Sequence, residues 1–189
     1  MKNDFIIALK LVAICFVSVL LLSFVNLITY KKISDNNVKV ENDTNKKLFS
    51  DGKTFEKKYF KSGAFNSTNE YYYIVKNSNK RHIGYTVVVI CAGYGGEMKV
   101  MFATDNNYKL LNMKLLNNSE TPGIGKSAEK DNYMKKFIGT NTSSSPFPYK
   151  KSMLSKEDSD SVTGATITFN GIALGVQKAL TALVEENKE

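Results

Sequence analysis

The sequence predicts an α+β protein: an N-terminal transmembrane helix followed by one domain in which an antiparallel sheet is packed by a C-terminal helix. Three patterns carry that expectation. Leu11 to Tyr30 is a run of 20 residues without a formal charge, Tyr71 to Leu116 holds repeated runs of β-formers broken by turn residues, and apolar side chains recur at helical spacing between Thr166 and Glu186.

A helix the length of the Leu11–Tyr30 run spans about 30 Å, the thickness of the hydrocarbon core of a bilayer. The apolar core of a secretory signal is shorter, about 7–15 residues, and ends in a small-residue cleavage site. Here the run ends in Ile28-Thr29-Tyr30-Lys31-Lys32, so residues 1–32 are expected to remain as a single-pass anchor. Cys15 follows Ile14, not the small residue of a lipoprotein signal. Lys2 and Lys10 flank one end and Lys31, Lys32 and Lys39 the other, so local charge does not favour an outside C-terminus. Residues 33–51 are rich in Asn, Asp and Lys and read as an exposed linker, which leaves residues 52–189 for the folded domain.

The chain of 189 residues has room for one ordinary domain plus this appendage. Its net charge of +8 comes from scattered lysines without a basic block or a nucleic-acid motif, so a solvated basic surface is expected and nucleic acid is not. Cys15 and Cys91 are far apart, with Cys15 inside the apolar run, and neither has ligand partners at metal spacing. The lone His82 has none either, so no metal centre is expected.

Within the domain, Phe55 to Phe65 mixes aromatics and lysines without a clear period. Tyr71–Val75 and Arg81–Cys91 read as a hairpin broken at Asn77-Ser78-Asn79-Lys80, and Met98–Ala103 and Lys109–Leu116 as a second one turning at Asp105-Asn106-Asn107. Four antiparallel strands are the simplest result. A punctuated loop follows, then a short helix over Asn132–Ile138, then an irregular stretch containing Ser143-Ser144-Ser145-Pro146. In the last helix Ile172, Val176, Ala179, Leu180 and Leu183 form one apolar stripe that is expected to lie across the sheet. Gly171 and Gly175 on that helix are expected to allow close helix–sheet approach.

Chemistry is concentrated in three short segments. Asp160-Ser161-Val162-Thr163-Gly164-Ala165-Thr166 ends in a hydroxyl in the first turn of the last helix, where backbone N–H groups and the helix dipole can hold a phosphate. Taken alone it also reads as a helix start with Thr163 as N-cap. Glu120-Thr121-Pro122-Gly123-Ile124-Gly125 has glycines that let a backbone approach a flat ring, or it is a surface turn. Gly93-Tyr94-Gly95-Gly96 lies between two strands and reads equally as a connecting turn or as a ligand contact.

Together these segments resemble the FMN-binding domain family, which includes the G subunit of Rnf ion-translocating complexes and the C subunit of the sodium-pumping quinone reductase. The first is similar to the Asp-x-x-(Ser/Thr)-Gly-Ala-(Thr/Ser) flavinylation motif, the second to Glu-Thr-Pro-Gly-Leu-Gly. Glu97 and Phe169 depart from the family's usual Pro and Ser or Arg. The resemblance implies FMN held covalently as a phosphoester on Thr166, with Thr163, Gly164 and Ala165 around the phosphate and Glu120, Thr121, Gly123 and Gly125 near the ring. Asp160 is expected to bind the FAD-dependent flavin transferase that loads the chain. No catalytic residue is implied. The protein would be an electron carrier within an Rnf-type ferredoxin:NAD+ complex, partnered by its other membrane subunits, with its flavin domain extracytoplasmic. A quinone-reductase C-like subunit, a free-standing flavoprotein reductase and a non-redox membrane-anchored binding module are the alternatives.

Overall fold

The computed structural model describes residues 2–61, 65, 68–141 and 147–188, with side chains from Ile6 onward. The irregular stretch around Ser143–Pro146 lies outside the described residues. Two compact units are present, Met1–Asn42 and Asp43–Glu189.

The first helix, α1, runs without interruption from Lys2 to Leu48. Its most apolar window has a mean hydropathy of 2.8 and is wholly exposed. Residues 33–48, which read from sequence as a linker, are therefore helical. Asn, Asp and Val are poor helix formers individually, but the interspersed Lys and Glu favour helix and extend one already nucleated upstream. Leu48 and Phe49 at its end are buried against Tyr71, Tyr73, Val75, Val88, Met101 and Ala103.

The second unit is built on a five-stranded antiparallel meander in chain order: β1 Thr54–Tyr59, β2 Tyr71–Lys76, β3 His82–Ala92, β4 Glu97–Thr104 and β5 Leu110–Asn117. The sequence indicates four strands, and β1 is the addition. It is an edge strand, pairing Thr54 with Lys76 through Tyr59 with Tyr71, and its charges serve the edge. Glu56 pairs with Lys58 at 2.9 Å and Lys76 at 3.2 Å, and the Lys57 ammonium lies 3.5 Å from the centre of the Tyr71 ring. An edge strand needs only one apolar face and tolerates lysines, so its alternation is weak in sequence.

The central strand β3 is covered on both sides. Tyr85, Val87, Val89 and Cys91 face one core and Val88 the other, which is why it reads as a continuous apolar run. The turn after β2 is tied by Asn77, whose Oδ1 accepts the Arg81 N–H at 3.0 Å. In the turn after β4 the Asp105 carboxylate accepts the N–H groups of Asn107 and Lys109 at 2.8 and 2.9 Å.

After β5 come a 3₁₀ turn at Gly125–Glu129, α2 at Asp131–Met134 with a 3₁₀ continuation at Lys135–Phe137, α3 at Lys156–Ser161, and the long α4 at Thr166–Glu186. The short helix expected at Asn132–Ile138 is thus present as α2 and its continuation. Helix α3 goes beyond the elements expected from sequence, although Ser155-x-x-Asp158 is a capping signal: Ser155 Oγ accepts the Asp158 N–H at 3.2 Å. The buried Lys136 ammonium anchors α3 through Asp158 at 3.3 Å.

Helix α4 lies on β3 with its apolar stripe in the larger core. It is long and apolar enough to cross a membrane, but half of it is buried within the domain, as in a core helix. Both glycines act as the sequence suggests. A Cβ on Gly171 would strike the Ala92 carbonyl, and one on Gly175 would strike the Cys91 sulfur. An aromatic stack then locks the start of α4: Phe137 lies between Phe147 and Phe169, each 5.1 Å away and nearly parallel. The closely docked helix carries its N-terminus to the glycine-rich end of the sheet.

Candidate functional site

A cleft of about 440 Å³ opens at that end, lined by Tyr94 from the β3–β4 turn, Glu120, Thr121, Ile124 and Gly125 from the loop after β5, and Gly164 to Thr168 from the start of α4. Three segments that are remote in sequence therefore share one wall.

Glu120 joins them. Its side chain is 3% exposed, and each oxygen accepts one bond. Oε1 takes the Gly95 N–H at 2.9 Å and Oε2 takes the Thr168 hydroxyl at 2.6 Å. The Glu120 N–H in turn donates to Asn118 Oδ1 at 3.0 Å. Gly93 and Gly125 make room for this carboxylate, since a Cβ on either would collide with one of its oxygens. The buried Tyr133 phenol is pushed above its ordinary pKa by burial first and by the negative charge of Glu120 second.

At the N-terminus of α4 the cap residue is Ala165, and no side chain among the described residues caps the helix. This corrects the reading of Thr163 as N-cap. Its N–H instead donates to Asp160 O at 3.1 Å, its hydroxyl donates to Ser159 O at 3.2 Å, and the Lys151 ammonium donates to that same hydroxyl at 2.7 Å. The chain cannot reach the cap because Gly164 adopts φ +85° and turns it before the helix begins, in open space where Ile124 Cγ2 is 3.8 Å from an added Cβ. The first-turn N–H groups of α4 have no intrahelical acceptor, and the positive end of the helix dipole faces the cleft beside them. Thr166 is exposed there, and its hydroxyl bonds to no described residue.

Of the residues singled out in the sequence, Glu120, Thr121, Gly125, Gly164, Ala165 and Thr166 line the cleft. Gly123, Thr163 and Asp160 do not. Gly123 has φ +80° with nothing within 4 Å of an added Cβ, so it shapes the turn and clears no surface. The absent Cβ of Gly125 accommodates Glu120. Asp160 sits at the end of α3 with an exposed side chain, and its carbonyl closes the turn to Thr163. Thr168 and Ile167 line the cleft from outside the predicted set, and Tyr94 brings to it the segment that reads in sequence as either a turn or a ligand contact. Thr168 stands two residues after Thr166 and so turns inward where Thr166 turns out, a difference that helical phase makes available in the sequence.

Residues 93–181 match the model of the FMN-binding domain family. The chain carries an FMN-binding domain. It is 28% identical to the G subunit of the proton-translocating ferredoxin:NAD(+) oxidoreductase complex of Clostridium ljungdahlii, over 95% of this chain and 91% of that protein. It is 32% identical to the G subunit of the ion-translocating oxidoreductase complex of Stutzerimonas stutzeri, over 47% of this chain and 40% of the relative. For the corresponding G subunit of Vibrio parahaemolyticus the figures are 29%, 51% and 47%. In the latter two the shared part is less than half of the relative's length.

The cleft of this FMN-binding domain suits such a group by its own chemistry. Its volume falls within the roughly 300–1,000 Å³ of small-molecule sites, and it offers apolar walls at Ile124, Ile167 and Tyr94. At one end stand an uncapped helix N-terminus for a phosphate and a hydroxyl free to carry one.

Proposed function

We propose that this chain is a membrane-anchored electron-transport subunit of an Rnf-type ion-translocating complex, carrying FMN as a phosphoester on Thr166. The observation that carries the reading is the convergence of three separated segments on one cleft, with the exposed Thr166 hydroxyl at the uncapped start of α4. FMN would supply one- and two-electron redox chemistry, and attachment through its phosphate would leave the ring unsubstituted.

The chain's own residues supply the rest. The N–H groups and dipole of α4 offset phosphodiester charge, Gly164 and Ala165 keep the approach to Thr166 open, and Glu120 fixes the loop carrying Thr121 and Gly125 to α4. A transferase using FAD would place the FMN phosphorus on Thr166 Oγ1 and release AMP, with Asp160 on the exposed end of α3 as a contact for it. Residues 1–32 act as a single-pass anchor, and residues 52–189 hold the flavin outside the cytoplasm near the complex's other membrane subunits. Such a tether replaces a dissociation constant by a permanent local concentration.

Coexpression with a flavin transferase tests the attachment. The full chain is expected to fluoresce on a denaturing gel and to carry FMN mass on the peptide containing Thr166. Thr166→Ala abolishes both signals, and fluorescence persisting in that variant overturns the assignment.

A further inference from the structure

We propose that the buried carboxylate of Glu120, clamped between Gly95 and Thr168 on the cleft wall, sets the reduction potential of the bound flavin by opposing the charge it gains on reduction. This rests on the reading that FMN occupies the cleft.

Three observations converge on it. Glu120 lines the cleft yet is 3% exposed, so its charge acts through protein with little water to screen it. Both of its oxygens accept from donors, the arrangement of an ionised carboxylate, and no lysine or arginine stands among the described residues lining the cleft to neutralise it. Finally, the two oxygens are bonded to separate elements, Gly95 of the β3–β4 turn and Thr168 of α4, and pack closely on Gly93 and Gly125, so the charge is held in one place.

Reduction of FMN by two electrons with uptake of one proton adds a negative charge. The electrons would come from a one-electron donor in a partner subunit, of the iron–sulfur or flavin class. Glu120 itself exchanges neither electron nor proton. A fixed negative charge on the wall disfavours the reduced anion and lowers the potential.

The amide of glutamine separates charge from clamp. In Glu120→Gln the carbonyl still accepts the Gly95 N–H, and the Thr168 hydroxyl can rotate to accept from the new NH₂. Thr168→Val does the reverse: it removes one clamp bond and leaves the charge. Full-length wild type and both variants are loaded by coexpressed transferase, checked by mass for FMN, and titrated in detergent against an electrode with mediators. Glu120→Gln is expected to raise the midpoint potential, changing the oxidised-to-reduced ratio at a fixed electrode potential at least about tenfold, or about 30 mV for two electrons. Thr168→Val is expected to leave the potential unchanged or to lower it. An unshifted Glu120→Gln overturns the inference while the flavin reading stands, and so does a Thr168→Val rise equal to that of Glu120→Gln. Failure of Glu120→Gln to load, with the wild type loaded, also overturns it, because the amide then does not preserve the clamp. A wild type that never acquires flavin removes the underlying reading and this inference together.

Discussion

Replacing Gly125 by alanine is expected to destabilise the domain by about 2 kcal/mol, and the cause can be isolated. The added Cβ would meet three atoms of the Glu120 side chain, which is buried and bonded at both oxygens. The loop has two ways out. A backbone shift that relieves overpacking costs roughly 1–3 kcal/mol. Swinging the carboxylate aside forfeits a bond to a charged group, roughly 1.5–3 kcal/mol. The easier route sets the cost. Gly123→Ala is the control: nothing lies within 4 Å of its Cβ, and only its φ of +80° opposes the change, at roughly 1–2 kcal/mol and toward the lower figure.

Urea titration of the full chain in mild detergent, followed by near-ultraviolet circular dichroism of the tyrosines, measures both variants. The decisive arm is a double-mutant cycle. In a Glu120→Gly background all three contacted atoms are gone, so the Gly125→Ala cost is expected to fall below about 0.5 kcal/mol, a coupling of about 1.5 kcal/mol. An undiminished cost in that background would refute the argument that Gly125 exists to make room for Glu120.

Phe169→Ala removes the ring stacked on Phe137 and is expected to cost about 3–5 kcal/mol, read as a lowered Tm, because the fully buried site cannot collapse around the helix start. Burial, with a lesser contribution from the Glu70 charge, pushes the Cys91 thiol from 9.0 up to about 12. Its contribution to stability is therefore complete below about pH 9 and is lost as pH rises toward 12. Urea midpoints measured from about pH 8 to 11 are expected to fall less steeply in Cys91→Ala than in wild type. Some slope remains, because burial also raises Tyr85 and Tyr133.

Elements that bury a whole face are legible in the sequence. The bounds of α4 can be read there because its apolar stripe and polar face alternate with helical period along its whole length. Strands β2 to β5 stand out to within one or two residues because turn residues interrupt otherwise apolar runs. Elements held by few contacts do not show. Strand β1 is half charge, and α3 is a turn and a half whose docking depends on Lys136, well upstream in the chain. Residues 33–48 look like a linker by composition, yet helix propagates through them and ends in the buried pair Leu48 and Phe49.

The sequence by itself determined the long apolar N-terminal helix, the order of sheet and closing helix, and the three glycine-bearing segments that meet at the cleft, because each is written in local periodicity or in contiguous residues. Only the tertiary structure decided what those segments do to one another. That Glu120 bonds to Gly95 and Thr168, that Gly125 yields space to a carboxylate, and that Thr163 serves α3 and Lys151 in place of the helix cap all depend on contacts between residues up to 48 positions apart. Such contacts follow from how closely α4 settles on β3, a packing distance set by side-chain volumes that no single stretch of sequence contains.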